Sequence, residues 1–372
     1  MSMIDLENNR REISIAQYLH IDLPLLTGIL SLIGFGLFVL YSATGESQDD
    51  LNRQIIRLVI AFGFMFIFAW IPPRVYQQWT PYLYILGIIL LLAVLLFGDK
   101  GKGAQRWLNI GFRFQPSELM KLAVPMMLAW YFHERKLPPT YKELFFAGVM
   151  IAVPTLLIMV QPDLGTSLLI ACSGIFVVFL AGIPWRLIVS LTLIGSVYAP
   201  VHWFYVMADY QKQRVLTFLN PEQDPLGSGY HIIQSEIAIG SGGLKGKGWL
   251  QGTQSQLEFL PERNTDFIFS VLGEEFGFYG AILLLVMYAW IIGRGFYITV
   301  NAQETYTRLL AGAITLTFFV YIFVNIGMVT GLLPVVGLPL PLVSYGGTSM
   351  VTLMIAFGIL MGIQTHKKLL AR

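Results

Sequence analysis

Ionisable side chains inside or beside long apolar runs are the residues of this sequence best placed to do chemistry. Glu118 and Lys121 lie three residues apart near the start of one such run, and Asp163 lies between two others. A charge inside a bilayer costs on the order of 2.5–3.5 kcal/mol on insertion scales, so each charge needs a partner or a function. Residues three apart share a helix face, which places Glu118 beside Lys121. Asp163 could meet Lys121 across a helix bundle.

The alternative role for Glu118 and Asp163 is to stabilise the N-terminus of a helix. A proline near the first turn followed by an acid is typical of a helix N-terminus. Pro116 shortly precedes Glu118, and Pro162 directly precedes Asp163. Lys121 has no such explanation, because a cation near a helix N-terminus opposes the helix dipole. A negative group must therefore compensate Lys121, and Asp163, Glu118 and a substrate phosphate are all candidates.

Three further acids lie at the end of a long polar segment and just beyond it. Asp266 directly precedes an apolar run, a position typical of a helix N-cap. Glu274 and Glu275 lie about two turns further along the same helix and are predicted to face the bundle interior. From the residues alone, a structural ion pair and a role in chemistry are equally open for these two glutamates.

Composition places these residues in a membrane protein. Hydrophobic residues make up 55% of the chain and charged residues 12%, with a mean hydropathy of +0.66. A soluble domain carries roughly 25% charged residues, so this surface is predicted to face lipid. The net charge of +2 argues against nucleic-acid binding, which needs a concentrated basic face. The single cysteine, Cys172, excludes a disulfide scaffold and a cysteine-based metal site.

The predicted fold is an all-α integral membrane protein with about ten transmembrane helices, since an apolar run of roughly 20 residues can span a bilayer. The first run is too long for a signal-peptide core and is expected to remain as the first span. The sequence has no evident internal repeat, which predicts a single polytopic membrane domain over residues 1–372. The predicted spans are Leu23–Ala43, Gln54–Ile71, Pro81–Phe97, Ser117–His133, Leu144–Val160, Leu164–Gly182, Leu187–Ala208, Phe267–Gly293, Leu309–Leu333 and Gly346–Gln364.

Lysine and arginine predict the orientation, because cytoplasmic loops carry an excess of them. With the N-terminus inside, twelve fall in inner segments and five in short outer loops, so both termini are expected in the cytoplasm. The segment Asp209–Asp266, between spans seven and eight, then forms a long extracytoplasmic loop. The outer segment Asp99–Gln115 holds four of the five outer basic residues. It is either a tolerated exception or a basic patch for an anionic substrate or lipid phosphates.

The long loop contains two recognisable pieces. Ile232, Ile233 and Ile237 fit one helical face, which predicts a short amphipathic helix lying on the membrane. A glycine-rich stretch with Lys245 and Lys247 follows and is predicted to be flexible. It is not a Walker loop, because no Ser or Thr follows Gly-Lys at the required spacing.

Five segments, in order along the chain, resemble the SEDS family (shape, elongation, division and sporulation), and within it the elongation branch rather than the division branch. The resemblance covers nearly the whole chain apart from its polar N-terminal segment. The branch assignment depends on the match over Gly227–Phe269 and Tyr210–Arg214. The five segments are Gly103–Leu108 (GAQRWL), Phe114–Glu118 (FQPSE), Gln161–Thr166 (QPDLGT), Pro261–Phe269 (PERNTDFIF) and Gly337–Gly347 (GLPLPLVSYGG).

This resemblance implies a glycosyltransferase that polymerises peptidoglycan from lipid II on the outer face of the bacterial cytoplasmic membrane. It implies an essential acid at Asp266 and functional intramembrane residues at Glu118, Lys121 and Asp163. The chain departs from many relatives at Asn264, where they carry histidine, so no histidine proton partner stands at that position.

The implied reaction assigns roles to these residues. Asp266, a carboxylate ionised at neutral pH, acts as general base, a role typically worth about 10²–10⁴-fold. The 4-hydroxyl of the GlcNAc of lipid II attacks the donor strand, inverts its anomeric carbon to give a β-1,4 link, and releases undecaprenyl pyrophosphate. The departing pyrophosphate needs positive charge, for which Arg106, Lys121 and Arg214 are candidates. The predicted substrate-binding residues are Arg106, Glu118, Lys121, Asp163, Arg214 and Ser344.

No cofactor is required by this scheme. A divalent cation (Mg²⁺ or Mn²⁺) could assist, although the sequence shows no dedicated cage for one. The resemblance also implies partners, namely a class B penicillin-binding protein (a transpeptidase) that contacts spans eight and nine, and other membrane proteins of the elongation complex.

Other functional classes fit part of the sequence. A flippase for lipid-linked peptidoglycan precursors would also bind pyrophosphate and place charges midway through the bundle, but would make no glycan. An ion-coupled transporter would use Glu118, Lys121 and Asp163 as a relay, but would leave Asp266 unexplained. A passive scaffold for the transpeptidase is compatible with a catalytic role.

Overall fold

The chain folds into a helical bundle with a small antiparallel sheet, seen in a computed structural model that describes residues 20–101, 104–109, 113–207, 209–220, 228–257, 259–260 and 262–367. Strands β1 (Asp99–Gly101), β2 (Ala104–Asn109) and β3 (Arg113–Phe114) pair in that order. A π-helical turn, His202–Val206, follows α7. The helices are α1 (Leu23–Ala43), α2 (Gln48–Trp70), α3 (Pro73–Phe97), α4 (Pro116–Phe132), α5 (Tyr141–Val160), α6 (Leu164–Gly182), α7 (Trp185–Val201), α8 (Asp209–Leu219), α9 (Ser228–Gly242), α10 (Thr253–Gln256), α11 (Ile268–Val300), α12 (Thr305–Val329) and α13 (Thr348–Thr365).

Nine helices in the described part of the chain are long and apolar enough to cross a membrane, which confirms the predicted class. They correspond to nine of the predicted spans. The remaining predicted span, Ser117–His133, is α4, which has 17 residues. It is therefore about 26 Å long, slightly less than the ~30 Å hydrocarbon core. Span eight is longer than predicted, because α11 has 33 residues and continues to Val300.

The core lies where α11 and α12 pack against each other and against their neighbours. α11 also contacts α1 and α9, while α12 contacts α4 and α6. None of the described residues of α7 is buried, whereas α12 is buried along most of its length. The side chains of α7 are therefore free to contact lipid.

Helix α11 is interrupted at Gly277, whose φ of 61° and ψ of −155° are not helical. An interruption frees backbone groups that cannot stay unpaired in an apolar environment. The glycine-rich stretch supplies the missing partners on both sides of the break. The hydrogen bonds run from Lys247 N to Glu274 O (3.0 Å), from Gly248 N to Glu275 O (3.0 Å), from Phe278 N to Gly243 O (2.9 Å) and from Tyr279 N to Leu244 O (3.2 Å).

The close approach of these two backbones explains the glycines. A side chain at Gly246, where φ is +78°, would start 2.1 Å from Glu275 O. A side chain at Gly277 would start 2.4 Å from Gly246 N. Only residues without a Cβ atom allow both this contact and a positive φ. The stretch is therefore a packed segment rather than the flexible one that its composition predicts.

A helix forms where an amphipathic one is predicted, as α9, but it packs against α11. Ile232, Ser235 and Ala238 are buried, and Ser235 Oγ lies 2.8 Å from Ser270 Oγ. Ile237, which the pattern assigns to the apolar face, is 45% exposed. The buried face is thus formed partly by small polar residues, which a search for apolar periodicity does not detect.

We predict that Gly246→Ala destabilises the protein much more than Gly243→Ala. Both positions have positive φ, but a side chain at Gly243 would meet nothing within 4 Å. Gly243→Ala should therefore cost only backbone strain, about 1–2 kcal/mol. Gly246→Ala adds a clash with a carbonyl oxygen that holds the helix break. Thermal unfolding of the purified full-length protein in detergent measures both; equal shifts of the midpoint would show that the close contact is unimportant.

Candidate active site

The turn that carries Asp266 is fixed through its backbone. Tyr345 N donates to Asn264 O at 2.8 Å, and Ser344 Oγ donates to Thr265 O. Asn325 Nδ2 donates to Asp266 O at 2.9 Å. Three successive carbonyl groups are thus held from outside the turn, which fixes the position of the aspartate.

The start of α11 differs from the prediction by one residue. The N-cap position falls on Phe267, which makes no side-chain cap hydrogen bond. Asp266 stands before the cap, so the N-cap interpretation of this residue is wrong. Its carboxylate lies beside the segment between α12 and α13, where a side chain at Gly337 would start 3.4 Å from Asp266 Oδ2.

Asn325 is the residue near Asp266 that sequence reasoning missed. It is fully buried in α12, and its Nδ2 also donates to Leu338 O at 2.6 Å. One side-chain amide therefore joins the Asp266 turn to the segment that faces its carboxylate. An amide inside an otherwise apolar span was the available signal, because such a group is costly there unless it is paired.

Ser344, a predicted substrate-binding residue, is used within the protein. Besides donating to Thr265 O, its hydroxyl accepts a hydrogen bond from Leu340 N at 2.8 Å. The side chain is buried. In this structure the serine positions the Asp266 turn.

Arg106 and Asp163 form a second cluster at the start of α6. Arg106 Nη2 donates to Pro162 O at 2.7 Å, and its Nε lies 3.6 Å from Asp163 Oδ2. Gln115 Nε2 donates to the same Oδ2 at 3.3 Å. Asp163 Oδ1 accepts from Thr166 N at 3.3 Å, which confirms the capping role predicted for Asp163. The arginine side chain stays 36% exposed and can meet an anion.

Glu118 and Lys121 form the predicted pair. Lys121 Nζ lies 2.6 Å from Glu118 Oε1 and 5.2 Å from the centre of the Tyr321 ring. Both charged side chains are buried. The partner of Lys121 is therefore Glu118, while Asp163 pairs with Arg106. Glu118 Oε2 is buried and has no hydrogen-bond partner among the described residues.

The segment between α12 and α13 separates Asp266 from the Asp163 cluster. A side chain at Gly165, the second residue of α6, would start 3.1 Å from Val336 O. Gly337, the next residue along, adjoins Asp266 Oδ2. The Asp266 turn and the start of α6 therefore flank the same few residues. A small cavity of about 30 Å³, lined in part by Lys121, Tyr321 and Ser349, lies between α4, α12 and α13.

Strained backbone occurs at three non-glycine residues around this region. Pro162, Glu262 and Leu342 have φ values of 27°, 50° and 62°. They lie beside Asp163, in the Asp266 turn, and beside Ser344, respectively. Positive φ at such residues costs on the order of 1–3 kcal/mol and clusters at functional sites. Three further non-glycine residues with positive φ, His20, Glu46 and Leu250, lie in other segments, so backbone strain does not by itself single out this region.

His231 of α9 also adjoins the turn, and no pattern in the sequence singled it out. Its ring stacks on Phe267 with centroids 5.8 Å apart. Burial lowers the pKa of His231, and the nearby Glu262 partly opposes this effect. The imidazole is therefore neutral at neutral pH.

Glu274 and Glu275 are both buried, as predicted. Glu274 forms an ion pair with Lys247 Nζ at 2.8 Å, and Glu275 accepts a hydrogen bond from Ser42 Oγ.

Arg214 falls within α8, but its side chain lies outside the described part. Among the described residues, no three His, Cys, Asp or Glu side chains converge to hold a metal ion.

Comparison with known proteins shows what this chain resembles. Residues 23–369 match the family model of the FtsW/RodA/SpoVE cell cycle proteins. The peptidoglycan glycosyltransferase MrdB of Escherichia coli K12 is 54% identical over 354 residues, covering 95% of this chain and 96% of that protein. The probable peptidoglycan glycosyltransferase FtsW of Geobacter metallireducens is 37% identical, covering 93% of this chain and 95% of that protein.

Two solved structures are similar over nearly their whole length. One is a chain of a peptidoglycan synthase complex that coordinates polymerization and crosslinking. Its TM-score is 0.81 and its sequence identity 29%, and the match covers 92% of this chain and 97% of that one. The other is the rod shape determining protein RodA of Thermus thermophilus, with a TM-score of 0.70 and 26% identity, covering 93% and 98%.

We predict that Asn325→Leu destabilises the protein by about 1–3 kcal/mol, because it leaves the carbonyls of Asp266 and Leu338 buried without their donor. Thr315→Val is the matched control. Thr315 is buried in the same helix, but its hydroxyl bonds only to Ala311 O of that helix, an interaction that adds little stability. Chemical or thermal unfolding in detergent compares the two, and an unchanged Asn325→Leu protein would contradict the assigned role.

Proposed function

The chain belongs to the FtsW/RodA/SpoVE family, and from that premise we propose that it polymerises lipid II with Asp266 as the general base. It is a peptidoglycan glycosyltransferase and a multi-pass bacterial membrane protein. The SEDS resemblance is confirmed, and so is the elongation branch, since identity is 54% to MrdB but 37% to a probable FtsW.

The observation that carries the proposal is the fixation of the Asp266 turn. Three carbonyls around the aspartate are held by hydrogen bonds. Its carboxylate lies beside the segment between α12 and α13, which also contacts the start of α6 next to Asp163. Asp266 is half-buried, so substrate can reach it. A base held in this way needs little reorganisation when substrate binds.

The proposed reaction is a direct displacement. Asp266 takes the proton of the GlcNAc 4-hydroxyl of lipid II while that oxygen bonds to the anomeric carbon of the donor strand. The bond from that carbon to the lipid pyrophosphate breaks, and undecaprenyl pyrophosphate leaves with both bonding electrons. Attack from the face opposite the leaving group inverts the α-linked donor and gives a β-1,4 link. No covalent enzyme intermediate is formed.

Arg106 is the best candidate to bind the pyrophosphate. Its guanidinium is oriented by Pro162 O and remains partly exposed, as stabilisation of a departing anion requires. Lys121 is less suited, because its charge is neutralised by Glu118 at 2.6 Å. We therefore assign the Glu118–Lys121 pair to holding α4 beside the cavity. Participation of Arg214 and of a divalent cation stays a prediction.

We place the reaction on the outer side of the membrane and both termini in the cytoplasm, from the distribution of Lys and Arg. A class B penicillin-binding protein is the proposed partner, together with other membrane proteins of cell elongation. The similarity to a chain of a peptidoglycan synthase complex supports such an assembly. The exposed apolar face of α11, which includes Phe278, Tyr279 and Val286, suits a membrane-spanning partner.

A precursor flippase is the second candidate, because a buried ion pair within a membrane bundle, such as Glu118–Lys121, is also typical of transport sites. It predicts transbilayer movement of lipid II in liposomes without glycan product.

Asp266→Asn should reduce lipid II polymerisation by at least about 10²-fold, since it removes the base but keeps the side-chain shape. Asp266→Ala should be equally inactive. Asp209→Asn, an exposed acid at the other end of the same loop, is the matched control and should retain activity. Gel analysis of glycan strands made by the purified proteins is the measurement. Robust polymer from Asp266→Asn would exclude this residue as the base.

Removing one member of the Glu118–Lys121 pair should destabilise the protein by about 3–5 kcal/mol, because a buried charge is left alone. We expect Lys121→Met and Glu118→Gln each to lower the unfolding temperature. The double variant should recover most of the loss, since no net charge remains. A double variant as unstable as the worse single variant would contradict the pairing.

A further inference from the structure

Glu274 has no part in the proposed reaction, yet its buried carboxylate accepts several hydrogen bonds. It lies on α11 just before the break and is 0% exposed. Its two oxygens accept four hydrogen bonds from the segment that leads to the Asp266 turn. The donors are Lys247 Nζ (2.8 Å), Thr253 Oγ1 (3.1 Å), Gln254 N (2.8 Å) and Ser255 N (3.1 Å).

Ser255 extends this contact toward Asp266. Its backbone N–H donates to Glu274 Oε2, and its carbonyl oxygen accepts from Arg263 Nη1. Arg263 stands at the beginning of the turn, immediately before Asn264, the first of its three fixed carbonyls. One buried residue thus joins the carboxylate of Glu274 to the turn that carries the base.

The chain packs closely against the Glu274 carboxylate at Gly252. A side chain at Gly252 would start 2.8 Å from Glu274 Oε2 and 2.2 Å from Ser255 Oγ. A side chain at this position would therefore displace Ser255 Oγ and the Glu274 carboxylate. Glu275, the neighbouring acid, accepts hydrogen bonds from Ser42 Oγ of α1 and from the backbone N–H groups of Leu250 and Gly252 in the same segment. Of the two glutamates, only Glu274 accepts from Ser255, which in turn accepts from Arg263.

We propose that Glu274 is a positioning residue for the glycosyl transfer. It acts through Ser255 and Arg263 to hold Asp266 at the position from which it reacts with its substrate. This inference rests on the proposed function. The essential feature is the hydrogen-bond acceptor at Glu274, because the backbone N–H groups of Gln254 and Ser255 need an oxygen. The charge of Lys247 compensates that of Glu274 and has no further role.

Two double variants separate the acceptor from the charge. Glu274→Gln with Lys247→Met removes both charges and keeps one amide oxygen, which can accept from the Ser255 N–H that leads to Arg263. Glu274→Met with Lys247→Met removes the charges and the acceptor while keeping a side chain of similar size. Since misplacing a reacting group slightly can cost up to about 10²-fold, we expect the Gln variant to keep kcat within about threefold. The Met variant should lose at least about tenfold in kcat, with KM for lipid II little changed.

A mutant cycle with Arg263 tests the connection itself. If Glu274 acts through Arg263, adding Arg263→Met to the Met variant should lower kcat no further than Arg263→Met does alone, because coupled residues are not additive. Fully additive losses, or wild-type kcat in the Met variant, would overturn the proposal. If the Met variant does not fold, Arg263→Met alone is measured, and wild-type kcat in that variant would overturn the proposal. Failure of the wild-type protein to make glycan would instead refute the proposed function.

Discussion

Four backbone hydrogen bonds between the glycine-rich stretch and the interrupted helix α11 hold the N-terminal part of that helix in place. A break at Gly277 would otherwise leave carbonyl and N–H groups unpaired in an apolar bundle, at a cost of several kcal/mol each. The stretch removes this cost by presenting its own backbone, which requires glycine at Gly246. The short segment of α11 that precedes the break, from Ile268 to Phe276, is thereby fixed. It begins next to Asp266 and carries Glu274, so the packing of the loop determines where the proposed base lies.

The proposed site combines an aspartate on a fixed turn with a separate cationic group. Asp266 lies on one side of the segment that contains Val336 and Gly337, and the start of α6 lies on the other. Arg106 is oriented there by a backbone carbonyl and only loosely paired with Asp163, at 3.6 Å. A lipid-linked pyrophosphate needs such an arrangement, in which its charge meets the arginine while its sugar reaches the carboxylate. The buried Glu118–Lys121 pair is already neutral and better suited to holding the helices.

Much of this architecture follows from the sequence, because apolar length defines spans and a charge in an apolar run must be explained. Glu118, Lys121, Asp163 and Asp266 were all found by that reasoning. The pairing of the charges was not, since Asp163 could equally face Lys121 until the sheet brought Arg106 to it. Three-dimensional contacts between distant segments leave no periodic signal. For this reason Asn325 was missed, the glycine-rich stretch was interpreted as flexible, and the hydrogen bond from Ser344 to the Asp266 turn was not foreseen. Substrate binding by Ser344 stays a prediction.

The central claim is that the chain itself joins sugars from lipid II at an outward-facing site. Incubation of the purified full-length protein with lipid II, alone and with its transpeptidase partner blocked by a β-lactam, tests this directly. We expect β-1,4-linked glycan strands and one undecaprenyl pyrophosphate released for each disaccharide added. Movement of lipid II across liposome membranes with no glycan and no released pyrophosphate would contradict the account and identify a flippase.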